Sequence, residues 1–129
     1  MKTQGQLEAE ISEAMTRFEK EYMGRGPTET VTYLVDDMVL VRLQGVLTPA
    51  EKQLVGGAGA ARGILLVKQM RTELVEGARL LLEAVIHGIT HCHVLSMHTD
   101  ISTARGERLL IFILDGKPEY ADPKSPPSS

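Results

Sequence analysis

Apolar residues near the start of the chain fall at Leu7, Ile11, Ala14, Met15, Phe18 and Tyr22. Steps of three and four place them on one stripe of an amphipathic helix running from Gln4 to Met23. Glu8, Glu10, Glu13, Glu19 and Glu21 stand mostly outside that stripe. Gly24-Arg25-Gly26-Pro27 ends the helix, because glycine suits the C-terminal cap and proline beyond it cannot continue the turn. The period then drops to two. Val31, Tyr33 and Val35 alternate with Thr30, Thr32 and Leu34 as a strand, Asp36-Asp37 supplies a turn, and Met38 to Leu43 forms the second arm of a hairpin closed by Gln44-Gly45. Leu47-Thr48-Pro49-Ala50-Glu51 opens a short helix, with Thr48 as cap, Pro49 at the first helical position and Glu51 completing a capping box.

The Gly- and Ala-rich stretch from Gly56 to Ala61 reads as a connector between helices. It matches neither glycine-rich phosphate-binding pattern, and no strand leads into it. A long helix is expected from Arg62 to Ile86 or Gly88. Val67, Met70, Leu74, Ala78, Leu81 and Val85 form its stripe, widened by Leu66, Val75, Leu82 and Ile86, with Gly77 in its middle. So wide a face calls for burial on two sides. A second hairpin follows, His91 to His98 and Arg108 to Leu114, with Thr99 to Glu107 as its loop. The expected fold is α+β, in the order helix, hairpin, short helix, long helix, hairpin. Two or more helices pack on a four-stranded, mainly antiparallel sheet. One domain should cover residues 1–116, and the Pro- and Ser-rich residues 117–129 should form a disordered tail.

Composition narrows the function classes. The 129 residues carry 14 Lys+Arg against 17 Asp+Glu, a net charge of −3, and only 4% aromatics with no Trp. That balance argues against nucleic-acid binding and base-stacking platforms. A single Cys excludes an internal disulfide framework and fits a reducing compartment. No signal-peptide h-region and no membrane-length apolar run is present, so a bacterial cytoplasmic protein without direct membrane insertion is expected.

Candidate chemistry is sparse. His87, His91 and His93, with His98 and Cys92 close by, are ligand types that zinc favours, and on a strand His91 and His93 would share a face. No second Cys pair or H-E-x-x-H spacing supports a site, so exposed turn and strand histidines are the preferred reading, with no metal and no cofactor. Cys92 reads as an inert thiol rather than a nucleophile. Arg25, Arg42, Arg62, Arg71, Arg79, Arg105 and Arg108 could gather into an anion-binding face. A solvated, mixed-charge helix face with Lys68, Glu73, Glu76 and Glu83 is the simpler account.

Several segments, in this order, resemble the MpsC-like domain family: Gly24-Arg25-Gly26-Pro27, Val39 to Leu43, Leu47-Thr48-Pro49-Ala50-Glu51-Lys52-Gln53-Leu54, Val94 to Thr103, and Gly106-Glu107-Arg108 leading to Phe112-Ile113-Leu114-Asp115. The resemblance spans residues 3–116. The chain departs from it in the Gly- and Ala-rich Gly56 to Gly63, and in His91-Cys92-His93, where members tend to show Gly-Val-Lys. It implies a small accessory or regulatory protein of a bacterial sodium-translocating, membrane-potential-generating system, and it carries over no catalytic residues. Enzymatic activity is left open, and a non-enzymatic homodimer with a membrane-system protein as partner is favoured. The alternative is a small-ligand or anion-binding domain with at most weak enzymatic activity. Its site would use the polar positions Arg25, Thr99 and Asp100 from the matching segments.

Overall fold

The computed structural model describes residues 1–121. Helices α1 (Gln4–Met23), α2 (Pro49–Gly56), α3 (Ala60–Gly77) and α4 (Arg79–Thr90) accompany strands β1 (Glu29–Val35), β2 (Met38–Gln44), β3 (Val94–Ser102) and β4 (Glu107–Leu114). The strands form one antiparallel sheet in the order β1-β2-β4-β3, so the second strands of the two hairpins lie side by side at its centre. The α+β architecture expected from the sequence is the observed one.

Both early helix starts form as their residues require. Thr3 and Thr48 each cap a helix, and Gln6 and Glu51 each reach back to the cap's backbone N–H. Gly24 ends α1 in the left-handed conformation, at φ 81°. Leu7, Ile11, Met15 and Phe18 of α1 are buried together with Val39, Val41, Leu43, Leu110, Phe112 and Leu114 of the central strands and Val75, Leu82 and Ile86 of α3 and α4. On β1 the residues facing this core are Thr32 and Leu34, while Tyr33 and Val35 point outward.

Three expectations need correction. The long helix is two helices. At Ala78 the backbone turns to φ −98° and ψ 6°, and its N–H is shared between the carbonyls of Leu74 and Val75. An apolar stripe that runs on across Gly77 gives no sign of such a break. The connector is also shorter than its composition suggests, because α3 already begins at Ala60. Gly63 lies inside α3, where a Cβ would stand 1.8 Å from the Leu54 carbonyl oxygen, so glycine there lets α3 cross α2 at backbone contact. In the second hairpin β3 starts only at Val94, leaving His91 and His93 off the strand, and it extends to Ser102.

Residues 117–121, assigned to the tail by composition, return to the N-terminus. The Ala121 N–H donates to the Lys2 carbonyl, and Tyr120 packs partly against the core. The remainder of the expected tail, residues 122–129, lies outside the described residues. No helix among the described residues is long and apolar enough to cross a membrane.

Candidate functional site

Four charged side chains lie inside the protein where α1, α2, α3 and β4 meet: Glu19, Glu51, Arg71 and Arg108. Arg71 is the hub. Its Nε and Nη2 donate to the two carboxylate oxygens of Glu51, both at 2.7 Å, its Nη1 donates to Glu19 Oε1 at 3.1 Å, and its Nη2 also donates to the Val46 carbonyl at 2.8 Å. Arg108 is held more loosely. Its Nη2 donates to the Arg71 carbonyl at 3.3 Å and its Nη1 stands 3.6 Å from Glu19 Oε1. Among the described residues, Arg108 Nε and Nη1 and Glu19 Oε2 are buried without a hydrogen-bond partner.

With two carboxylates and two guanidiniums the cluster is neutral when all four groups are ionised. Burial pushes the Glu19 carboxyl above its ordinary range, against the pull of Arg108 and Arg71. Burial likewise pushes Arg108 down to about 10, with Glu19 opposing. At Glu51 burial is outweighed by the Arg71 hydrogen bonds and the backbone N–H of Thr48, and its pKa is lowered. At Arg71 burial is outweighed by Glu51 and Glu19, and its pKa is raised. No group in the cluster is a free acid or base in contact with solvent.

Above the cluster the surface is apolar. α1, α2 and α3 enclose a groove of about 460 Å³ lined by Tyr22, Met23, Leu54, Leu66, Met70 and Leu74, with Thr48 and Glu51 at its floor. Five of these six apolar residues are exposed, the exception being half-buried Met23. The stripe expected to be buried on two sides thus divides. Val67, Val75, Ala78 and Leu82 face the core, while Leu66, Met70, Leu74 and Leu81 remain open.

The residues singled out from the sequence lie elsewhere. Arg25 Nε donates to the Gly45 carbonyl at 3.0 Å, bracing the end of the first hairpin. Thr99 and Asp100 are neighbours on β3 and point to opposite faces. Thr99 opposes Leu110 on the core side, with its hydroxyl buried and, among the described residues, unpartnered. Asp100 is exposed, 3.6 Å from Lys68 Nζ. No hydrogen bond or ion pair among the described residues joins Arg25 to either. The ring of His87 stacks on His93 at 4.4 Å and its Nδ1 meets the Cys92 carbonyl at 3.0 Å. His91 caps α4 at φ 60°. His91 and Cys92 border a hollow of about 830 Å³ between the end of α4 and Met1, Lys2, Lys117 and Glu119. Among the described residues no three His, Cys, Asp or Glu side chains are grouped to hold a metal ion. Burial pushes the Cys92 thiol up, away from the nucleophilic thiolate.

The buried cluster corrects the reading that set Glu19 outside the apolar stripe and Arg71 on a solvated helix face. Its signal was positional. Glu19 continues the steps of four from Ile11 and Met15, Arg71 stands midway between Val67 and Val75, and Arg108 occupies the inward phase of Leu110, Phe112 and Leu114. A charge on the apolar phase of an element is a candidate for a buried pair.

Comparison with known proteins supplies the remaining observation. The family described as Na+-translocating membrane potential-generating system (MpsC) matches residues 3–116. The uncharacterized protein YbcI of Bacillus subtilis (strain 168) is similar at 43% identity over 113 residues, covering 88% of this chain and 89% of YbcI. No solved structure matches.

Proposed function

The chain belongs to the MpsC family, and from that premise we propose that it is a non-enzymatic accessory or regulatory protein of a sodium-translocating, membrane-potential-generating system. It acts from the cytoplasm and uses the groove between α1, α2 and α3 to hold an apolar helix of a protein of that system. The observation that carries this reading is the contrast between the groove and its floor. The walls are exposed Tyr22, Leu54, Leu66, Met70 and Leu74, whereas Glu51 below them is consumed by Arg71 and by the Thr48 cap. Apolar walls between helices fit the ridge of another helix. A carboxylate with both oxygens engaged does not serve as a general base.

Complementation tests it. In a bacterium deleted for its own copy, the sodium-dependent membrane potential should fall and be restored by the wild-type chain. The Leu54→Glu/Met70→Glu variant should fold with an unchanged thermal transition and fail to restore it. Restoration by that variant to the wild-type level would remove the groove from the function. An unchanged sodium-dependent potential in the deletion strain would remove the link to the system.

A further inference from the structure

Antiparallel strands with one face in water alternate apolar and polar residues. β2 and β4 do not. Met38-Val39-Leu40-Val41 and Leu109-Leu110-Ile111-Phe112-Ile113-Leu114 are continuous apolar runs, as in strands covered on both faces. Yet α1, α3 and α4 contribute to a single core on the side of Val39, Val41, Leu110 and Phe112. The register sets out what the other side carries. One row across the sheet reads Val35, Met38, Ile113 and Ser96, the next Tyr33, Leu40, Ile111 and His98, and the third Val31, Arg42, Leu109 and Asp100. Tyr33 and Val35 are each 46% exposed.

We propose that this outer sheet face is the interface of a homodimer, each copy covering the face of the other. The proposal stands apart from the reading of the groove, which lies among the helices. Its first support is size. Four strands, the central pairings seven residues long, make a face about 19 Å wide and about 23 Å long. One docking helix, about 10 Å across, would leave half of it wet. A stable interface takes about 800 Å² from each partner, so the whole face and its rim must be covered. A second sheet of the same size does this, packed face to face at about 10 Å as in a sandwich.

The second support is charge. The first two rows hold no Asp, Glu, Lys or Arg side chain. In the third row Arg42 is tied to Glu107 of the same face at 2.7 Å, and Asp100 has Lys68 as its counter-ion. Apart from Glu29, at the rim row it shares with Gln44, Glu107 and Ser102, two copies therefore meet without uncompensated like charges, and the face offers little charge to attract an unlike partner. Edge-to-edge pairing through β1 is a poorer route. Glu8 accepts the outward N–H of Leu34 and Gln4 donates to its carbonyl, so α1 already occupies that edge.

Sedimentation of the full chain, with thiol labelling, decides the matter. At tens of micromolar the wild type should sediment at twice its 14.1 kDa mass, and Ile111→Lys should sediment as a monomer with a far-ultraviolet dichroism spectrum like the wild type. Tyr33→Cys in a Cys92→Ser background covers the case in which Ile111→Lys does not fold. Its maleimide labelling should be at least about tenfold slower at high concentration than after dilution to the monomer. A monomeric wild type overturns the proposal. So does a dimer that Leu54→Glu/Met70→Glu dissociates while Tyr33→Cys labels at one rate across all concentrations.

Discussion

Arg71 and Arg108 are each only 1% exposed, share Glu19 as a counter-ion and differ in almost everything else. Every nitrogen of the Arg71 guanidinium has an acceptor, two of them on one carboxylate in the parallel geometry that suits a planar fork. Among the described residues, two of the three Arg108 nitrogens have none. The cause is the elements that carry the partners. Glu51 sits in the first turn of α2, held by the Thr48 capping box at 2.9 and 3.2 Å, so it presents both oxygens to α3 in a fixed pose. Arg108 projects from a central strand whose register fixes where its head group lies, and Glu19 has already turned one oxygen to Arg71. Ion pairs of equal burial are thus not equal in worth, since desolvation is offset only where hydrogen bonds complete the geometry.

The sharpest way to break this comparison is Arg71→Met. It leaves Glu51 buried without its bidentate partner, takes from Glu19 its one hydrogen bond and removes the ion pair between α2 and α3, so unfolding in urea should show a loss of about 3–5 kcal/mol. For a domain whose total stability is on the order of 5–15 kcal/mol, that brings the chain close to unfolding. A loss below about 1 kcal/mol would mean that the Arg71 side of the cluster is no better satisfied than the other. Arg108→Met comes next. It removes two unpartnered donors along with one long hydrogen bond and leaves Glu19 its contact with Arg71, so the same titration should show a change of about 1 kcal/mol in either direction. A loss matching that of Arg71→Met would make the two arginines equivalent.

The sequence made the periodic parts of this fold readable and hid the charged ones. Thr48-Pro49-Ala50-Glu51 announces a helix start because a capping box is local, and both of its hydrogen bonds form. The same four residues say nothing of Arg71, which reaches Glu51 across 20 positions of chain. The break at Ala78 was hidden because its backbone departs from the helix over a single residue while the apolar stripe continues into Leu81 and Leu82. His91, Cys92 and His93 invite a strand by composition, but His91 is consumed as the left-handed cap of α4. The outer sheet face was visible as unbroken apolar runs in β2 and β4. Only the register shows that those runs line up across the sheet, and no helix among the described residues covers them.

The smallest effect concerns the proton on Glu19. Its folded pKa lies above its ordinary value of 4.5, so between the two values the folded chain binds more protons than the unfolded one. Stability from this group therefore rises as pH falls through the folded pKa, and stops rising near pH 4.5. Glu51 runs the other way. Its folded pKa is below 4.5, so its contribution is present above that value and is lost as pH falls beneath it. The wild type should gain slightly on mild acidification and then lose stability. Glu19→Gln keeps the shape of the protonated carboxyl and removes the titration, so the gain should vanish and the later loss remain. Urea unfolding at several values between pH 7 and pH 4, read as the difference between the two proteins, cancels the groups common to both and isolates the effect. Parallel curves would show that Arg71 and Arg108 together hold Glu19 as firmly charged as Glu51, and the two halves of the cluster would then differ in geometry alone.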